Sequence, residues 1–150
     1  MANQRKRALA HEAIGVLQEL TELFGRRRHQ LAAGAGLSDL QWRILEEVAA
    51  EDFMPSLFAR RRAKSPAGVS RTLRQLIERD LIRVSIGPSD ARRRVYGLTA
   101  RGRRLLGGVR ARREEAIAAV WLKLDTPELA AFGAVGAELA ARLRAHAEAG

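Results

Sequence analysis

Arginine is the side chain with which this sequence could do most chemistry. Arg92, Arg93 and Arg94 run consecutively behind Asp90 and the turn formers Gly87, Pro88 and Ser89, and Arg71 and Arg74 lie three residues apart upstream. A guanidinium is planar, permanently charged and carries a fork of donors that fits phosphate and the acceptor edge of guanine. Between Pro55 and Arg104 there are fourteen Arg or Lys against Glu78, Asp80 and Asp90, a segment charge of +11 in a 150-residue chain whose net charge is +10. The remaining residues are close to neutral. Basicity confined to one region calls for a polyanionic partner.

Other chemistries have little to work with. His11, His29 and His146 are dispersed, with no pair at zinc-ligand spacing, and no serine sits in a nucleophile motif. Glu114 and Glu115 are adjacent, so on a helix they diverge and cannot act as a carboxylate pair. Gly34-Ala35-Gly36 follows a helical pattern and lacks the preceding strand that a nucleotide-binding loop requires. No catalytic residue, metal site or cofactor is assigned, and the chain is read as a non-enzyme. The absence of cysteine excludes disulfides, thiolate metal sites and thiol switches, and fits a reducing compartment. Arg5, Lys6 and Arg7 resemble the start of a signal peptide, but Glu12, Gln18 and Glu19 interrupt the apolar stretch that should follow. The uncharged run Leu129–Ala137 contains two glycines and is far shorter than the roughly 20 residues of a membrane span. A soluble, cytoplasmic protein with no membrane partner is expected.

The arginines need elements to hold them. A content of 47% hydrophobic residues, rich in Ala and Leu with few aromatics, predicts one mainly α domain over 1–150. Leu9, Ala13, Val16, Leu17, Leu20, Leu23 and Phe24 give a helical stripe over about 8–31, ended by Gly34 and Gly36. Ser38 and Gln41 form a capping-box signature for a helix over about 39–51, with Trp42, Leu45 and Ala49 on one face. Ser56 is placed to cap a short helix to about Arg62, and Ser65-Pro66 starts another that ends near Arg79 or Asp80. In that second helix Val69, Leu73, Leu76 and Ile77 form the apolar face, and Ala67, Gly68, Ser70, Arg71, Arg74 and Gln75 point outwards. The period then changes to two: Ile82, Val84 and Ile86 alternate with Arg83 and Ser85 as in a half-buried strand, and residues 94–98 return to complete a hairpin. Thr99 is placed to cap a long helix to about Lys123, and Thr126-Pro127 starts a last one with the stripe Leu129, Phe132, Val135, Leu139 and Leu143.

Leu37-Ser38-Asp39-Leu40-Gln41-Trp42, Val69-Ser70-Arg71 with Leu76, and above all Asp90-Ala91-Arg92 followed by Leu98-Thr99-Ala100-Arg101-Gly102 resemble the MarR family of winged helix-turn-helix transcriptional regulators. The resemblance spans essentially the whole chain. It implies a winged helix-turn-helix lobe over 38–104, with β-hairpin wing, flanked by dimerisation helices over 1–36 and 105–150 that make a homodimer. It also implies double-stranded DNA as partner, with Ser70 and Arg71 of the recognition helix reading bases, Arg74 nearer the phosphates, and Arg92 entering the minor groove beside Arg93 and Arg94. Asp90 becomes a positioning residue of the wing, since a carboxylate is repelled by phosphate. A small aromatic or phenolic effector, as many relatives bind, would meet Phe24, Trp42 and Arg43. Trp42 also has a simpler reading as a core residue.

Three departures from the family pattern carry expectations. Arg62 and Lys64 stand where the interhelical turn is usually apolar, so their stems should lie on the core with their charges in solvent. Ala67 and Gly68 replace frequent hydroxyl residues, which throws recognition onto Arg71 and the wing. Asp80 replaces a frequent glycine, predicting a left-handed backbone at a small cost in strain. The function expected is a homodimeric, sequence-specific regulator, a repressor at a pseudo-palindromic operator. The alternatives are an architectural DNA-binding protein with little sequence preference and a small-molecule enzyme on a winged-helix scaffold.

Overall fold

The computed structural model describes residues 1–149. The elements follow in the order α1 (Ala2–Gly34), α2 (Asp39–Ala49), α3 (Pro55–Arg61), α4 (Pro66–Glu78), β1 (Ile82–Ile86), β2 (Arg94–Leu98), α5 (Ala100–Val120), a single 3₁₀ turn at Trp121–Lys123, and α6 (Thr126–Ala149). The chain forms two compact units, Met1–Arg110 and Ala111–Gly150. Mainly helical structure with a single antiparallel hairpin is the fold class that the residue pattern predicts.

Local chemistry sets most helix starts. At α2 the Gln41 amide donates to Ser38 Oγ (3.1 Å) while the Ser38 amide donates to Gln41 Oε1 (2.9 Å), closing the predicted capping box. At α4 the Gly68 amide donates to Ser65 Oγ (3.0 Å), with Pro66 preset for the first turn. The short helix differs from expectation: Met54 is its N-cap and Pro55, not Ser56, opens it, since proline's fixed φ suits the first helical position. Helix α1 starts at Ala2 rather than near Ala8, because Asn3 to Arg7 contain no breaker and continue the helix. Helix α2 stops at Ala49, before Glu51 and Asp52 turn to positive φ (70° and 54°).

The core of the first unit gathers Ile44 and Leu45 of α2, Phe58 of α3, Leu76 of α4, Leu81, Ile82 and Leu98 at the base of the hairpin, and Leu106 and Val109 of α5. Each such aliphatic side chain taken fully from water contributes about 2 kcal/mol. Helix α1 adds Leu31 and Ala32, while its Leu9, Ile14, Val16, Leu17, Leu23 and Phe24 stay exposed. The hairpin pairs Ile82 with Leu98 and Ile86 with Arg94, but only its base reaches the core. Val84 (43% exposed) and Ile86 (69%) therefore overturn the predicted half-buried alternation: a two-stranded wing has no layer to cover its outer half. Ile77 (37% exposed) likewise falls outside the apolar face of α4, and Thr72 is buried in its place, donating to the Gly68 carbonyl at 2.8 Å.

The Leu-Thr-x-x-Gly segment has a direct physical reading. Thr99 Oγ1 donates to the Asp80 carbonyl (2.6 Å) and accepts from the Gly102 amide (2.9 Å), and the Thr99 amide donates to the Leu81 carbonyl (3.1 Å). Helix α5 thereby starts hard against the α4–β1 turn. A Cβ on Gly102 would lie 2.1 Å from the Leu81 oxygen, so no other residue fits there without moving backbone. Asp80 in that turn has φ +56°, the left-handed conformation expected of it, and Ala63 between α3 and α4 has φ +50°, which sequence reading did not foresee.

In the second unit α5 ends at Val120, and a 3₁₀ turn replaces the expected helical continuation to Lys123. Helix α6 begins at Thr126, but its cap is Asp125: the Glu128 amide donates to Asp125 Oδ1 (2.8 Å) and the Asp125 amide to Glu128 Oε2 (2.9 Å). Trp121 and Phe132 meet edge to face at 5.7 Å. The stripe residues Phe132, Val135, Leu139 and Leu143 are exposed.

Candidate nucleic-acid interface

Helix α4 sorts its residues by face. Val69, Thr72, Leu73 and Leu76 are buried, which leaves Ser70, Arg71 and Arg74 on the solvent side. Arg71 and Arg74 are neighbours at i, i+3, and Ser70 and Arg74 at i, i+4. Neither arginine has a hydrogen bond or ion pair with any described residue, so both guanidinium forks are available to an outside acceptor.

The wing tip is a tight, self-bonded loop. The Arg92 amide donates to Asp90 Oδ1 (2.9 Å), the Arg93 amide to the Asp90 carbonyl (3.1 Å), and the Gly87 amide to the Arg93 carbonyl (2.7 Å). Asp90 thus spends its carboxylate on the loop backbone. Arg92, Arg93 and Arg94 are all exposed, but they are not equivalent. The Arg92 side chain makes no hydrogen bond or ion pair among the described residues, Arg93 Nη2 lies 3.8 Å from Asp52, and Arg94 sits in β2 opposite Ile86. The foot of the wing is anchored by edge-to-face packing of Phe53 on Tyr96 and on Phe58, both at 5.6 Å.

Several other arginines are already engaged, and the linear sequence does not announce it. Arg62 Nη2 lies 2.9 Å from Glu47, so its charge is met by a carboxylate rather than only by solvent. Arg79, at the end of α4, donates to the Gly36 carbonyl (2.9 Å) and to Gln41 Oε1 (3.3 Å), and Gln41 Nε2 donates to Gln75 Oε1 (3.2 Å), which ties α4 to the start of α2. Asp39 accepts from Arg28 Nε and from Arg43 Nε (2.8 Å). Burial raises the Asp39 carboxyl, but the hydrogen bonds and charges of Arg43 and Arg28 together outweigh it and hold it below the ordinary 3.8. Glu46 accepts from Arg110 Nη2 (2.6 Å) and Nε (3.3 Å), and this hydrogen bonding pushes Arg110 above its usual range.

The three side chains expected to meet an effector have different surroundings. Trp42 is buried (2% exposed), its indole N–H donates to Glu46 Oε1 (3.1 Å) and Arg28 lies 4.5 Å above its ring. Arg43 is half-buried on Asp39, and Phe24 is exposed on α1. Two open clefts exist in the first unit, one of about 280 Å³ between Asp52, Phe53, Phe58 and Arg62, the other of about 420 Å³ between Ala35, Arg79, Leu81 and Arg104. Neither is lined by Phe24, Trp42 or Arg43. Among the described residues no cluster of three His, Asp or Glu could hold a metal ion, and no helix is long and apolar enough to cross a membrane.

A helix-turn-helix, a hairpin with an arginine tip and long flanking helices define a winged-helix protein. Residues 35–93 match the model of the MarR family. The fold is shared along nearly the full length with a crystallised MarR family transcription regulator, at TM-score 0.84 and 20% identity, covering 99% of each chain. Staphylococcus aureus MarR, solved with salicylate and kanamycin, matches at TM-score 0.77 and 22% identity over 90% of this chain and 92% of that one. S. aureus MepR, solved with DNA, matches at 0.66 and 20% over 83% and 96%. No curated protein matches the chain. The likeness to the family model thus covers the helix-turn-helix and wing segment, and the fold of the whole chain is the winged helix seen in these solved MarR family structures.

Proposed function

We propose that the protein is a cytoplasmic, homodimeric, sequence-specific DNA-binding regulator that represses transcription from a pseudo-palindromic operator. The observation that carries this reading is the set of unengaged guanidiniums of Arg71, Arg74 and Arg92, two on the solvent face of α4 and one at the tip of the wing. Helix α4 fits the major groove, where Arg71 can take the O6/N7 edge of guanine, and Arg92 fits the negative potential of a narrow minor groove. That S. aureus MepR has been solved with DNA supports the same partner here. The dimer is supported by the apolar side chains that α1 and α6 each leave in solvent, Leu17 and Phe24 on one and Phe132, Val135 and Leu139 on the other. Exposed apolar surface on that scale belongs in an obligate interface.

Release by a small aromatic ligand is the regulatory part of the proposal, supported by the salicylate in the S. aureus MarR structure. For Phe24, Trp42 and Arg43 to take such a ligand, Trp42 must open from the core and Arg43 must leave Asp39. An architectural role is the rival, since the exposed Arg60, Arg61 and Lys64 would also serve unspecific phosphate binding. Footprinting on genomic DNA in the presence of excess competitor separates them. A discrete protected site is expected, and uniform coverage would favour the architectural protein.

A further inference from the structure

We infer that Asp39 and Glu46 are positioning residues that fasten α2, and with it the DNA-reading lobe, to α1 and α5, and so fix the spacing at which two copies of α4 meet DNA. This rests on the dimeric DNA-binding reading above. The two carboxylates are seven residues apart on α2, two helical turns and about 10 Å along one face. Each grips an arginine from a different flanking helix. Asp39 holds Arg28 of α1, and Glu46 holds Arg110 of α5 through Nη2 (2.6 Å) and Nε (3.3 Å). Trp42 joins the two grips, because its buried ring lies 4.5 Å beneath the Arg28 guanidinium and its N–H donates to Glu46 at 3.1 Å.

None of these groups lies on the solvent face of α4 or on the wing, so their service to DNA is indirect. Each ion pair is partly exposed, with side-chain exposure of 35% and 40% for Arg28 and Asp39 and of 46% and 27% for Arg110 and Glu46. Pairs that exposed add little stability. A forked pair such as Arg110–Glu46 nevertheless admits few orientations, so it constrains angle far more than it stabilises. Arg110 is also the last residue of the first unit, so both partners of this pair belong to that unit.

The chain has no cysteine, so a single spin label can be attached at Glu78→Cys, an exposed site at the end of α4. In the dimer, the distance between the two labels should form a narrow distribution that broadens in Glu46→Gln and in Arg110→Gln, and stays narrow in Arg110→Lys. On operators whose half-site spacing is changed by one or two base pairs, the parent should lose about tenfold in affinity while Glu46→Gln discriminates by less than about twofold. Unchanged label distances and unchanged spacing preference in a folded Glu46→Gln would overturn the inference, as would loss of the narrow distribution in Arg110→Lys. A parent that binds no DNA at any spacing overturns the DNA reading instead, and the label distances still decide whether the carboxylates hold the lobe.

Discussion

At the scale of residues, the deciding question is which arginines are free and which are spent. Arg71 and Arg92 differ in what they can reach, and their variants should differ accordingly. Arg71→Ala is expected to cost about 1 to 3 kcal/mol at the preferred site and to relax base preference there, whereas Arg92→Ala should weaken binding to all sequences and shallow the salt dependence by about one unit of slope. Titrations against matched and mismatched operators at several salt concentrations distinguish the two, and an Arg71→Ala variant with unaltered base preference would remove that residue from recognition. A pH effect follows from Asp39. Its carboxyl lies below the ordinary 3.8 in the folded chain, so the stability it adds is complete above that value and is lost as pH falls through the depressed one. With the side chain 40% exposed, screening limits the contribution to at most about 1 kcal/mol. Acid unfolding of Asp39→Asn should therefore show a shallower loss of stability below about pH 4 than the parent shows. The run Arg92 to Arg94 was legible as exposed because three charges at a turn cannot be buried. That Arg110 serves Glu46 was not, since the partners are 64 residues apart and no local pattern links them.

Elements were legible where local chemistry decides them and less so where the surroundings do. Ser38 with Gln41, Ser65 with Pro66, and the shift from helical period to alternation at Ile82 each set a boundary that the structure keeps. The alternation also led to an error, because it predicts burial of Val84 and Ile86 and cannot say that the wing extends past anything that could bury them. Ser56 lost to Pro55 for a similar reason: both fit a helix start, and the ring's preset φ decided. The α4–β1–α5 corner supplies a paired test. Gly102→Ala drives a methyl to 2.1 Å from the Leu81 oxygen and should destabilise by about 3 kcal/mol. Asp80→Gly relieves the φ of +56° against a larger unfolded-state entropy, and should stabilise by about 0.5 kcal/mol. Urea unfolding at neutral pH reads both, and a Gly102→Ala protein as stable as its parent would mean that α5 does not start where the Thr99 hydrogen bonds put it.

For the whole molecule, two distributions have to be explained together. Charge of +11 sits between Pro55 and Arg104 in a chain of +10, and large exposed apolar side chains concentrate on α1 and α6. One chain bearing both is suited to pairing through its apolar helices while presenting two basic lobes to one duplex. The residue pattern made the charge segregation plain, and it also showed apolar stripes on the first and last helices too large for one short core to cover; α1 and α6 do leave Leu17, Phe24, Phe132 and Leu139 exposed. The measurement that bears most directly on this account is selection of bound DNA from a random pool by the full chain. Enrichment of a two-fold symmetric site, with half-sites about 10 base pairs apart centre to centre, is the predicted result. A pool that gains affinity without gaining a shared sequence, or a single half-site without symmetry, would contradict it.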